Sequence, residues 1–289
     1  AVIDEAIKGN CTRINEKRNA QGIHKFLDGV NHFDKYYPFS ENETILVRHY
    51  YPTEFPHHDT LPLFLFIHGG GWCYSSIENR NTLCSLFSKT YKVEVASINY
   101  SLSPEAECGK AINECYKVYY ELSNNHQNRK IFLSGDSSGG NLAAGLIHKI
   151  NQMKETRIPT SLLLFYPVID LVNDYPSYHR FESGYGLELS MMRKFIDAYV
   201  PDPEKRKDPL FSPIFGDVHN FPPTFILTSQ FDILRNEGYA FAKKLHESNV
   251  PVRYICMETA VHGFLSKSQM KRLNEIGLQH ITDYMNLFK

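Results

Sequence analysis

The chain has 289 residues, 42% hydrophobic and 22% charged, with a formal net charge of -1 and a pI of about 7.0, which suits one large soluble α/β domain. With no long basic run, nucleic-acid binding is disfavoured, and no apolar run approaches the roughly 18 residues of a membrane-spanning helix. Six cysteines (Cys11, Cys73, Cys84, Cys108, Cys115 and Cys256) are scattered without Cys-x-x-Cys pairing, so they read as free thiols in a reducing, cytoplasmic setting.

Residues 1–37 read as helical: Ile3, Ile7, Ile14, Ile23, Phe26, Leu27 and Val30 sit among charged residues, with Gly22 and Gly29 as interruptions. Such a segment forms either a packed surface helix pair or a cap over a pocket, with Phe33, Tyr36 and Tyr37 as its aromatic tail. Thr44 to Tyr51 alternates polar and apolar residues, as a half-exposed strand near a sheet edge does. Leu61 to Ile67 is a short continuous apolar run, the pattern of a strand buried on both faces. It ends in His68-Gly69-Gly70-Gly71-Trp72. Three consecutive glycines cost backbone entropy, so the position demands N–H groups free of side chains.

A helix over Asn81–Thr90, a buried strand over Val93–Asn99, the loop Tyr100-Ser-Leu-Ser-Pro-Glu105 and a helix over Gly109–Asn124 follow. Arg129 to Leu146 then runs from an apolar strand (Ile131, Phe132, Leu133) through Gly135-Asp136-Ser137-Ser138-Gly139 into an Ala- and Leu-rich helix. Ser161–Phe165 is another buried strand. From Asp170 to Pro213 the strand rhythm stops, apart from a helix around Met191–Tyr199, so this stretch reads as an insertion above the sheet. The rhythm resumes with a strand over Thr224–Thr228, a helix over Asn236–Ser248, a strand over Val252–Met257 and a final helix over Gln269–Phe288. Alternating strands and helices imply a mostly parallel sheet flanked by helices, an α/β fold in a single domain of residues 1–289. Residues 1–40 and 170–213 would supply its cap.

Gly135 and Gly139 flank Ser137 at nucleophile-elbow spacing, where residues two before and two after the serine must lack a Cβ. Ser138 is the rival nucleophile, but the residue two before it is Asp136, which has one. Ligand sites in open α/β sheets lie at the carboxyl ends of the strands, and there the chain puts the triple glycine, Ser137, Asp232 and His262. The order Ser, Asp, His is that of an α/β-hydrolase. Ser137 would attack an acyl carbonyl, His262 would shuttle the proton, and Asp232 would fix the imidazole, with the N–H groups of Gly70, Gly71 and Ser138 binding the oxyanion. Asp170 and Glu258 also follow strands and compete for the acid's place. Gly69, Trp72, Tyr74, Tyr166 and Phe264 are candidate walls of the substrate pocket. No His-x-x-x-His pair, Cys cluster or dinucleotide-binding glycine pattern occurs, so no metal or cofactor is expected.

From Thr44 to the C-terminus the chain resembles the hormone-sensitive-lipase-like carboxylesterases of the α/β-hydrolase superfamily. HGGGW at His68–Trp72 and GDSSGGNLAAGL at Gly135–Leu146 carry the resemblance, extended by YSLSPE at Tyr100–Glu105, FDILRNEG at Phe231–Gly238 and HGF at His262–Phe264. It implies an α/β-hydrolase fold with a two-part helical cap, and a triad of Ser137, Asp232 and His262 with oxyanion glycines in His68–Gly71. Ser138 stands where the family usually has Ala, Ser101 and Ser103 where it more often has Arg and Ala, and Ala106–Lys110 lacks its usual His-Pro-type sequence. The expected activity is cofactor-free hydrolysis of a small-molecule acyl ester of short to medium chain. An amidase, deacetylase or arylformamidase-like hydrolase would use the same machinery. A ligand receptor on this scaffold is disfavoured by His262, which the related plant gibberellin receptor lacks. Oligomeric state is left open, a homodimer included.

Overall fold

The computed structural model describes residues 2–125 and 129–288; Ala1, where the expected helical segment begins, lies outside them. Among the described residues eight strands form one sheet: β1 (Val30–Pro38), β2 (Thr44–Pro52), β3 (Leu63–Ile67), β4 (Glu94–Ile98), β5 (Ile131–Asp136), β6 (Ser161–Phe165), β7 (Thr224–Phe231) and β8 (Val252–Val261). Their spatial order is β1-β2-β4-β3-β5-β6-β7-β8. β1, β2 and β4 pair antiparallel, and every other pairing is parallel. The short apolar runs of β3, β5 and β6 are buried at every position, because helices cover both faces of the sheet.

Helices α1 (Val2–Ile7) and α2 (Thr12–Asn19) open the chain; α3 (Asn81–Tyr91), α4 (Lys110–Asn125) and α5 (Ser138–Gln152) follow, then α6 (Pro176–Arg180) and α7 (Leu189–Tyr199) in the insertion, and α8 (Arg235–Glu247) and α9 (Lys271–Met285) near the end. One apolar core includes Leu142, Leu146, Val118 and Phe241 from α5, α4 and α8; the other includes Phe87, Ile281 and Tyr284 from α3 and α9 against Phe64, Phe66 and Phe225. No described helix is long and apolar enough to cross a membrane.

The helical reading of residues 1–37 is corrected at its second half. Val30–Pro38 is a strand at the sheet edge, paired along its length with β2, so Phe33, Tyr36 and Tyr37 belong to the sheet and not to a cap. Its partner β2 is held by a buried cation: Arg48 donates to both oxygens of Asp34 at 2.6 and 2.8 Å. β7 and β8 run past their expected ends, with a register shift between Ser229 and Phe231. This added length brings Asp232 and His262 directly to the strand termini.

Two segments lie on the carboxyl side of the sheet. Lys194 on α7 meets Asp4 on α1 at 2.7 Å. Arg18 on α2 donates to the Cys73 carbonyl at 2.8 Å and the Ser103 carbonyl at 2.9 Å, and pairs with Glu105 at 2.6 Å. The N-terminal helices are therefore tied both to the insertion and to the loops beside the triple glycine.

Candidate active site

The turn between β5 and α5 is compressed to the limit that glycine allows. A Cβ on Gly135 would lie 2.2 Å from the Gly139 carbonyl oxygen, and one on Gly139 would lie 2.0 Å from that of Ile67. Ser137 between them takes φ 56° and ψ -121°, a strained conformation that a tightly packed elbow sustains. It throws the side chain clear of the helix that starts at Ser138.

Ser137 Oγ lies 2.9 Å from His262 Nε2, and His262 Nδ1 lies 2.7 Å from Asp232 Oδ2. These residues are 125 and 30 positions apart in the chain and meet only because β5, β7 and β8 end at one rim. Asp232 is 2% exposed; its Oδ1 accepts the Leu234 N–H at 3.0 Å. One oxygen is thus held by the backbone while the other faces the imidazole. The Tyr166 ring meets His262 edge-on at 5.1 Å.

Neither rival acid meets His262. Asp170 accepts from the backbone of Val172 and Asn173, from the Asn173 amide and from the Tyr175 hydroxyl. Glu258 is exposed on β8.

The glycine loop is positioned by two residues of the elbow itself. The Gly69 N–H donates to Asp136 Oδ1 at 2.7 Å, and Ser138 Oγ accepts the Trp72 N–H at 3.1 Å. The unusual Ser138 hydroxyl therefore ties the loop to the helix. Gly71 has φ 61°, and a Cβ there would sit 2.5 Å from the Phe195 ring of α7. The N–H groups of Gly70, Gly71 and Ser138 donate to no acceptor among the described residues. His68 is buried, stacks on Tyr100 at 4.3 Å, and is pushed down to a pKa of about 4 by burial. It is a neutral packing residue.

A cleft of about 340 Å³ opens above Ser137 and His262. Of the residues expected at its walls, Tyr74 and Tyr166 are present, beside Gly70 and Gly71 of the expected oxyanion hole. Trp72 and Phe264 are not: Trp72 is 1% exposed and stacked on Tyr199 at 4.4 Å, and Phe264 is 0% exposed and packed against Tyr166. At Trp72 a φ of 58° turns the side chain away from the cleft. Gly69 contributes its N–H to Asp136 instead of a wall.

Sequence reasoning missed Gln21, Arg80, Leu187, Phe195 and Lys267, which line the same cleft. None lies in a motif; Lys267 follows His262 in the same loop, Arg80 lies beyond the glycine loop, and Gln21, Leu187 and Phe195 come from the segments expected to form the cap. It also missed Glu237, whose Oε1 accepts the Ile169 N–H at 2.7 Å. Burial, then the neighbouring Asp170 and Asp232 charges, push Glu237 well above the usual carboxyl range.

A family model of the alpha/beta hydrolase fold matches residues 64–266. The chain is 28% identical to the ethyl acetate hydrolase of Pseudomonas putida, covering 84% of this chain and 78% of that one. It is 30% identical to the arylesterase of Saccharolobus solfataricus, covering 73% and 70%. Among solved structures, an ester hydrolase from the metagenome of Lake Arreo superimposes with a TM-score of 0.85 at 26% identity, over 98% of this chain and 96% of that one. With the family model matched over most of the chain's length and esterase relatives in both sequence and structure, the chain belongs to the α/β-hydrolase superfamily, in its hormone-sensitive-lipase-like branch of carboxylic ester hydrolases.

Proposed function

We propose that the protein hydrolyses short- to medium-chain acyl esters through Ser137, His262 and Asp232 and a covalent acyl-enzyme. The observation that carries this reading is the continuous hydrogen-bonded chain from Ser137 Oγ through His262 to Asp232, at 2.9 and 2.7 Å. Nε2 of the neutral imidazole takes the Ser137 proton as Oγ bonds to the acyl carbon. The tetrahedral oxyanion is met by the free N–H groups of Gly70, Gly71 and Ser138. Collapse expels the alcohol, which receives the proton from His262, and water repeats the sequence in reverse to release the acid.

Each oxyanion donor is worth about 3 kcal/mol of barrier lowering, roughly a hundredfold in rate. The acyl range is supported by the cleft volume of about 340 Å³, which suits a compact ester better than a long chain. Residues 2–28 and 170–213 act as the cap: Gln21 from the first and Leu187 and Phe195 from the second supply walls of the cleft. The six free cysteines suit a reducing, cytoplasmic setting.

Hydrolysis of p-nitrophenyl acetate, butyrate, octanoate and palmitate tests the reading. Turnover of the shorter esters, abolished in Ser137→Ala, is the expected result. Folded protein inert toward every ester would remove it.

A further inference from the structure

The cleft above Ser137 is charged in a way that hydrolysis of a plain ester does not require. Two cations line it, Arg80 from the turn before α3 and Lys267 from the loop after His262, against one carboxylate, Asp136. Asp136 is fully committed: Oδ1 accepts the Gly69 N–H at 2.7 Å and Oδ2 meets Arg80 Nη2 at 3.2 Å. Among the described residues the ion pair leaves Arg80 with most of its donors unused, and its Nε is buried without a partner there. Its side chain is only 13% exposed, so bulk water does little to satisfy it. Lys267 makes no side-chain hydrogen bond or ion pair among the described residues. Its Nζ stands over Gly186 of the insertion, 3.3 Å from where a Cβ would be. A side chain at 186 would crowd the ammonium. Lys267 and Ser266 line both this cleft and a neighbouring groove of about 430 Å³.

An ammonium unpaired among the described residues and an under-satisfied guanidinium line one cleft, and the one carboxylate among its described lining residues is already neutralised, which leaves the site short of one negative charge. We infer that the preferred substrates are esters carrying a carboxylate, such as the monoester of a dicarboxylic acid, with Lys267 meeting that carboxylate and Arg80 supporting the positive field. The inference rests on the esterase reading and names the substrate class for the same site. Lys267 acts in specificity and takes no part in bond breaking. A charge-assisted contact in a partly desolvated cleft gives selectivity on the order of tenfold or more.

The test compares mono-p-nitrophenyl glutarate with p-nitrophenyl pentanoate, and 4-carboxyphenyl acetate with phenyl acetate, so that the charge sits on the acyl side in one pair and on the alcohol side in the other. For at least one pair the anionic ester is expected to show a kcat/KM at least tenfold higher. That preference should fall toward unity in Lys267→Met, chiefly through KM, return in Lys267→Arg, and shrink as salt is raised. In Lys267→Met the neutral esters should lose less kcat/KM than their anionic partners, which separates lost charge recognition from a general disturbance of the cleft wall. Neutral esters hydrolysed as well as or better than their anionic partners, or a preference that survives Lys267→Met, would overturn the inference and leave the esterase reading standing. Loss of all ester turnover would instead remove the esterase reading itself.

Discussion

Replacing Asp232 by Asn removes a charge and also sets a direction. In the folded protein Oδ1 is held by the Leu234 N–H at 3.0 Å and Oδ2 faces His262 Nδ1 at 2.7 Å. An amide has one acceptor oxygen, and the Leu234 donor claims it, so the NH2 group takes the place of Oδ2 and presents a proton to Nδ1. Nδ1 must then be the bare nitrogen and Nε2 the protonated one, which leaves Ser137 without a base. The opposite amide orientation restores the tautomer, but it sets two donors against each other in a buried site at a cost of about 2–6 kcal/mol. Either route, with the loss of a carboxylate opposite the developing imidazolium, gives a fall in kcat on the order of 10³–10⁴, roughly 4–5.5 kcal/mol of barrier. Steady-state kinetics on p-nitrophenyl butyrate, with a melting curve showing a retained fold, measures it. Asp170→Asn is the control: its carboxylate serves only its own loop, so stability should fall while kcat stays within about threefold. A folded Asp232→Asn variant losing less than tenfold would refute the reasoning.

Two further outcomes follow from groups that never touch the substrate. Ser138→Ala strands the buried Trp72 N–H now bonded at 3.1 Å and should cost about 1–3 kcal/mol in denaturant unfolding, with kcat changed only a few-fold because the residue 138 N–H is intact. Glu94 is buried between β2 and the loop before β5. Burial alone would raise its pKa, but the hydrogen bond from His49 and the charge of Arg129 hold it down at about 2. A folded pKa below the unfolded value stabilises the protein fully above the ordinary carboxyl pKa of 4.5, and that contribution is lost as pH falls from there toward about 2. The shift corresponds to about 3 kcal/mol. Thermal melts from pH 6 to pH 2.5 should show the wild type losing stability steeply below pH 4.5 and Glu94→Gln starting lower with a flatter decline.

The central strands were legible because burial on both faces favours short, almost wholly apolar runs: Leu-Phe-Leu-Phe-Ile in β3 and, after its first residue, Leu-Leu-Leu-Phe in β6 are too short for most helices. The elbow was legible because two glycines are a steric necessity there. β1 was not, since Val-Asn-His-Phe-Asp-Lys-Tyr-Tyr-Pro is an edge strand with both faces largely wet, so period-2 alternation never develops. The three residues of the Ser–His–Asp chain could be named from the strand ends they follow. Arg80 and Lys267 could not, because a charge acquires its role from whatever the fold sets beside it. Trp72 and Phe264 end motifs that serve the site, yet the fold buries both rings outside the cleft. Adjacency in the chain is a poor guide to adjacency in a cleft.

The strand order has a consequence for how the protein fails on heating. Ser137 leaves the interior strand β5, flanked on both sides, whereas His262 leaves β8, which has a neighbour on one side only. Margins of a sheet open more readily than its middle. Ser137 and His262 therefore sit on parts of unequal durability, and a small excursion of β8 parts them while the interior holds. Inactivation should begin as a local, reversible event at the sheet's edge, at temperatures where most of the backbone signal is still native.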